Sequence, residues 1–408
     1  MTAALNSMLS HVDILTSEPP VAGARDPSYD GTMTSAGGRS TSRADLAPID
    51  RRHFLQTLGA AVTVGTGCGG GSEEPARKKL DLGAVAIPEG RAAVAVVRRP
   101  KLDDAVERAI ALAGGLGEIR AGSRVFIKPN AVHGQVSNLP GIITSVAMIQ
   151  AVVRAMKARG ARVTVGDRSA RIFETSFVFE RAGLRDAALE AGADEVFEAP
   201  KPAAAPHEWV LVKPPRYEET WGAKGGFLAM RRILESDHFI DLPVCKNHRW
   251  AAFSLSMKNL IGAIGDDSRD ALHFNVGDPD RLGRDVAILN QAFSPTMVIL
   301  DAQTALISGG PEGLLGDRVA TTPGLVMASK DRIAIDATAA SLIKLELSRT
   351  NVETPDEMYK VLTTTKAWAL PQIVHGIERG LGKARADLVD LRFDDVPDAK
   401  AIEALFRA

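Results

Sequence analysis

The sequence predicts an α/β fold: a mostly parallel sheet with flanking helices. From about residue 90, short runs rich in β-branched residues alternate with longer segments of helical spacing. Glycine closes a helix and the chain re-enters a strand, as at Gly160 before Arg162-Val163-Thr164-Val165. The chain has 408 residues, 45% of them hydrophobic, enough for one large domain or two lobes. A strand–helix–strand rhythm of this kind calls for parallel neighbours joined by right-handed crossovers.

Taken in order, Ala92 to Val97 reads as a buried strand, and Lys101 to Leu116 as a helix with apolar residues at Leu102, Val106, Ala109 and Ile110. Arg124 to Ile127 is the next strand and ends in Lys128-Pro129-Asn130. A helix over about Thr144 to Arg159 leads to the strand that ends in Gly166-Asp167. Phe173 to Glu190 has helical spacing broken at Gly183, and Glu208 to Lys213 is a strand stopped by Pro214-Pro215. A lobe break is expected near residues 200–230, where Pro and Gly cluster. His238 to Pro243 is a strand with Pro243 as its end, and Ser254 to Ile264 and Asp280 to Phe293 are helices. Met297 to Asp301 and Leu325 to Ala328 are strands, and Arg332 to Leu345 is a helix. Residues 367–381 form a late helix and 386–392 a last short strand, leaving 391–408 as a C-terminal tail.

Composition excludes several functions. With 49 Lys+Arg against 50 Asp+Glu, the chain lacks the basic surface from which nucleic-acid binding draws its affinity. Two cysteines cannot build a disulfide scaffold or ligate an iron–sulfur cluster. No apolar run reaches the ~20 residues of a membrane-spanning helix.

Residues 1–50, rich in small and polar residues without periodicity, read as a disordered leader. Arg51-Arg52-His53-Phe54-Leu55 followed by an apolar, Gly-rich stretch resembles a twin-arginine export signal, with 51–75 comprising the signal and a polar tether. The expected partner is then the twin-arginine translocation machinery, and the expected location is outside the cytoplasm. Cys68, at the end of the apolar stretch, is either a lipidated residue or lies close to a plain cleavage site.

In an open parallel sheet, ligands bind beyond the carboxyl ends of the strands. Lys128 and Asn130 follow one predicted strand, Asp167 another, and Cys245, Lys246 and His248 a third. Asp301 ends a fourth, shortly before the Gly-rich loop Ser308-Gly309-Gly310-Pro311-Glu312-Gly313. Each has a plainer reading: Lys128 snorkels, Asn130, Asp167 and Asp301 cap turns or helices, and Cys245 is a small buried side chain. Residues 246–273 carry the sharpest signal, bringing Lys246, His248, Lys258, Asn259, Arg269 and His273 into one short span. Arg269 and His273, four apart on a helix, would share a face and grip one anion. Lys128, Asn130, Lys246, Asn259 and Arg269 are therefore the candidate substrate-binding residues. His248, His273, Lys258 and Asp167 are the candidate catalytic ones, by proton transfer or with a divalent metal held by His248, His273 and Asp167.

These motifs resemble the domain of unknown function 362 family: Ile127-Lys128-Pro129-Asn130, Gly166-Asp167, Leu242 to His248, Ser256 to Gly262, Arg269 with His273, Asp301, Asp336, and Gly380-Leu381-Gly382. The resemblance spans about 90–390. It implies no settled catalytic residues, and the ferredoxin-type cysteine clusters of some members are missing from this chain. Three functions remain open: an exported enzyme acting on a small carboxylate or phosphate, a tethered binding protein for such an anion, or a redox protein with a bound metal or flavin.

Overall fold

The computed structural model describes residues 80–81, 90–133, 140–217, 226–273, 278–311, 318–352 and 357–408, excluding the side chains of 80–81 and 357–359. The leader, Arg51, Arg52 and Cys68 lie outside the described residues. The first part of the chain runs β1 (Leu80–Asp81), β2 (Ala92–Val97), α1 (Leu102–Leu112), β3 (Arg124–Pro129), α2 (Val146–Ala158) and β4 (Arg162–Asp167). It continues with α3 (Thr175–Arg181), α4 (Leu184–Glu190), β5 (Glu195–Glu198), β6 (Trp209–Lys213), β7 (Phe227–Met230) and α5 (Arg231–Leu234). The site-bearing part is β8 (His238–Leu242), β9 (Val244–His248), β10 (Ala252–Phe253), α6 (Ser256–Asn259), α7 (Asp266–His273) and α8 (Pro279–Asn290). The last part is β11 (Met297–Ser308), β12 (Val319–Thr321), β13 (Leu325–Ser329), α9 (Arg332–Arg349), α10 (Glu357–Thr364), α11 (Pro371–Glu378), β14 (Val389–Asp394) and α12 (Ala399–Arg407).

The main sheet has the order β14-β2-β13-β11-β8-β3-β4-β5. Along that path β13 alone runs antiparallel to its neighbours β2 and β11, and every other pairing is parallel. The mostly parallel α/β fold expected from the sequence is the one observed. Its reason is visible in the strands, which bury both faces as parallel strands do. Val94 and Val96 of β2, Phe126 of β3, and Val298 and Leu300 of β11 join one hydrophobic cluster. Ala95, Val97, Val125, Ile127 and Ile299, their alternate neighbours, join the other. Helices α1 and α2 cover the second cluster, and α8, α9 and α12 cover the first.

Two expectations are corrected. Residues 73–408 form one compact unit, without a lobe break near 200–230. There, β6 and β7 pair antiparallel and bury Trp209, Val212, Phe227 and Met230 in the same cluster as α8 and α9. The C-terminal stretch 391–408 is no tail: β14 runs on to Asp394, and α12 buries Ile402 and Phe406 completely. As expected, the strand from His238 stops at Pro243. The proline fills a gap between β8 and β9, and β11, irregular between Asp301 and Leu306, is long enough to pair with both. A residue without an N–H is tolerated at such a gap because no ladder bond is asked of it there.

Candidate functional site

The carboxyl ends of β3, β4 and β9 meet α6 and α7 around a cleft of about 140 Å³. Among the expected substrate-binding residues, Asn130, Lys246, Asn259 and Arg269 line it. So do the expected catalytic residues His248, His273, Lys258 and Asp167. Lys128 sits beneath, fully buried, with Nζ 2.7 Å from Asp167 Oδ1.

Asp167 is heavily committed. Its Oδ1 also accepts the Arg168 N–H at 2.8 Å, and its Oδ2 accepts the Ala131 N–H at 2.8 Å. A Cβ at position 262 would overlap Asp167 Oδ1 and crowd the Lys128 ammonium, which accounts for the glycine in Lys258-Asn259-Leu260-Ile261-Gly262. The carboxylate therefore anchors Lys128 and two main-chain amides. Among the described residues no group of three or more His, Cys, Asp and Glu side chains is placed to hold a metal ion, so the expected set of His248, His273 and Asp167 is not assembled.

Asn259 is the hub of the buried polar floor. Its Nδ2 donates to Asp241 Oδ1 at 2.7 Å, and its Oδ1 accepts from Asn130 Nδ2 at 3.0 Å. Asn130 Oδ1 in turn accepts from Lys246 Nζ at 3.2 Å, and the same ammonium donates to the Ile142 carbonyl at 2.7 Å. The expected helix over 254–264 is split into α6 and a 3₁₀ turn over Leu260–Ala263. Asp336 of α9 holds its start, accepting the N–H groups of Ser256 and Met257 at 2.8 and 3.0 Å. Burial pushes Asp336 up to about 8. Asp241, which also accepts the Ser256 hydroxyl at 2.7 Å, is pushed up by burial to about 6.

The two imidazoles are fixed in opposite tautomers. The Trp250 N–H donates to His248 Nδ1 at 3.1 Å, so in the neutral ring Nε2 carries the hydrogen. His273 Nδ1 lies 2.7 Å from the Arg269 carbonyl, which can only accept, so Nδ1 carries the hydrogen and Nε2 presents a lone pair. Among the described residues neither Nε2 makes a hydrogen bond. Burial first, and then Lys258, lowers both rings: His273 to about 3 and His248 well below the ordinary value. Both rings are neutral at neutral pH.

Arg269 and His273 do share α7, but their link runs through the Arg269 carbonyl, and Arg269 Nη1 donates to the carbonyls of Arg168 and Ser169 at 3.0 and 2.6 Å. Burial lowers Arg269 to about 10. The joint grip on an anion expected from their spacing is thus shared with the backbone. Cys245 is fully buried, and burial pushes its thiol up. Asp301 faces a separate cavity and accepts the N–H groups of Ser145 and Gln303. In the Gly-rich loop, Gly310 N–H donates to Asn247 Oδ1 at 2.9 Å and Pro311 lines the cleft, while Glu312 and Gly313 lie outside the described residues.

Sequence reasoning missed Asp241, Arg168 and Trp250, whereas Asp336 is among the residues of the family resemblance, without a role. Asp241 had a signal, being the only charge inside the apolar run Phe239-Ile240-Asp241-Leu242. Arg168, fully buried and 2.9 Å from Asp266 Oδ2, had none beyond its place after Gly166-Asp167.

The model of the family described as Domain of unknown function (DUF362) matches residues 125–341, more than half of the chain and every cleft residue named above. The chain belongs to the DUF362 family. This DUF362 protein is also 26% identical, over 237 residues, to the thylakoid-associated protein sll1697 of Synechocystis, covering 57% of this chain and 67% of that protein. Among solved structures, the lactate racemase apoprotein of Thermoanaerobacterium thermosaccharolyticum aligns over 79% of this chain and 88% of that one, with a TM-score of 0.39 and 11% identity.

Proposed function

We propose that this DUF362 protein is an enzyme that holds a small carboxylate or phosphate in the cleft and acts on it by acid–base chemistry at His248 and His273. One observation carries the reading: the cleft wall gathers Lys246, Lys258, Arg168, Arg171 and Arg269, five cations, against two carboxylates, Asp167 and Asp270, around two neutral imidazoles. An anion entering there gains charge-assisted hydrogen bonds in a partly desolvated setting.

The test is a thermal-shift screen of small carboxylates and phosphates on the mature protein, followed by turnover assays on the stabilising compounds. Lys258→Ala is expected to weaken the best compound by about tenfold or more, the worth of one charged hydrogen bond. Unchanged affinity in that variant removes the reading. A second reading, a non-catalytic anion-binding protein, is favoured by the commitment of Asp167 to Lys128 and backbone amides, which leaves that carboxylate unavailable to orient a histidine. Binding without turnover selects it.

We also propose export through Arg51 and Arg52, with Cys68 as the residue lipidated at the membrane. The likeness to a thylakoid-associated protein of Synechocystis supports this placement. Replacing Arg51 and Arg52 together by Lys is expected to hold most of the protein inside the native host's cytoplasm, read by cell fractionation. Unaltered export of that variant refutes the signal.

A further inference from the structure

Resting on the anion-binding reading above, we infer that the cleft selects an oxyanion that carries its own proton, a monohydrogen phosphate group either free or as a monoester, and that His273 makes the choice. The argument starts from the hydrogen each ring has already spent. His248 receives the Trp250 N–H at Nδ1 and so offers an Nε2–H, which any oxyanion oxygen can accept. His273 gives its Nδ1–H to the Arg269 carbonyl and so offers a lone pair, which an oxyanion can meet only with a hydrogen of its own. The Trp250 ring neighbours both, its centroid 5.8 Å from His248 and 6.3 Å from His273.

Sulfate and an ionised carboxylate have acceptors only, and against His273 Nε2 they set lone pair to lone pair. Protonating His273 would relieve the conflict. The ring is buried beside Lys258, with Arg269 on its own helix and His248 across the cleft, so a further positive charge is disfavoured. Lys246 adds positive charge to the same wall, Asp167 is neutralised by Lys128, and Asp270 and Arg171 neutralise each other at 2.6 Å. A phosphate bearing one P–O–H supplies the hydrogen instead. Its remaining oxygens accept from His248 Nε2–H and lie beside the positive charge of Lys246 and Lys258. The site thus takes phosphates and discriminates against carboxylates.

The test is calorimetry at about pH 5.5, where the monoester as well as free phosphate keeps a P–O–H, on the whole protein with three probes: inorganic phosphate, methyl phosphate and sulfate. At least one phosphate is expected to bind about tenfold or more tighter than sulfate, the cost of leaving one buried acceptor facing another. The better of the two phosphates identifies the source, free or esterified. His273→Gln, whose amide can turn an N–H toward the ligand, is expected to bring sulfate to within about threefold of phosphate. Equal affinity for sulfate and phosphate in the parent overturns the inference and leaves the anion-binding reading in place. Binding of none of the three overturns both. A preference for phosphate that survives in a folded His273→Gln variant removes His273 as its source.

Discussion

Lys128→Met is expected to destabilise the protein by about 3–5 kcal/mol, because it leaves a buried carboxylate without its counter-charge. Lys128 is fully buried, and its ammonium meets Asp167 at 2.7 Å. The methionine fills nearly the same space, so packing loss is small and the penalty is electrostatic. Two main-chain N–H groups continue to solvate Asp167 in the variant, which places the loss toward the lower end of that range. Adding Asp167→Asn is expected to recover about 1–2 kcal/mol: the orphan charge disappears, but one of the two amides loses its acceptor. Urea unfolding of the parent, the two single variants and the double variant gives the cycle directly. A loss below about 1 kcal/mol for Lys128→Met contradicts the pair's role.

The second large effect is a fall in stability as pH rises. Asp336 keeps its proton in the folded state up to about 8, whereas an unfolded aspartate gives it up near 3.8. Its contribution is fully present below 3.8 and is lost as pH climbs toward 8. Asp241 acts in the same sense but is exhausted by about 6. The histidines act in the opposite sense: with folded values below 6.5, their contribution is present above 6.5 and lost as pH falls. Between about pH 6.5 and 8, Asp336 therefore stands alone among these four, and stability is expected to fall by up to about 1.4 kcal/mol per pH unit. Asp336→Asn, titrated with urea across the same window, is expected to abolish the slope. A slope that persists in the variant places the proton elsewhere.

Much of this arrangement is legible in the sequence, for a physical reason. Buried parallel strands read as apolar runs, and a lysine or aspartate at the end of such a run lies where the sheet stops and ligands sit, as Lys128, Asp167 and Lys246 do. What is not legible depends on partners distant in the chain. Nothing at position 167 says that both carboxylate oxygens are taken by groups at 128, 131 and 168. The tautomers of His248 and His273 follow from one amide and one carbonyl whose placement only the folded chain fixes. Helix α12 was hidden because it is short and directly follows a strand, although Ile402 and Phe406 are spaced as a helix face requires. Pro202 and Pro215 lie in turns, and a turn and a domain boundary look alike without the pairing of β6 and β7.

The gap at Pro243 has a mechanical corollary. Lys246 and His248 are mounted on an overhanging plank, and its footing is the far half of β11, where Leu306 is in register with Lys246. Exchanging side chains along that half of β11, with no contact to any bound molecule, should tilt both groups together and retune the pocket as one piece.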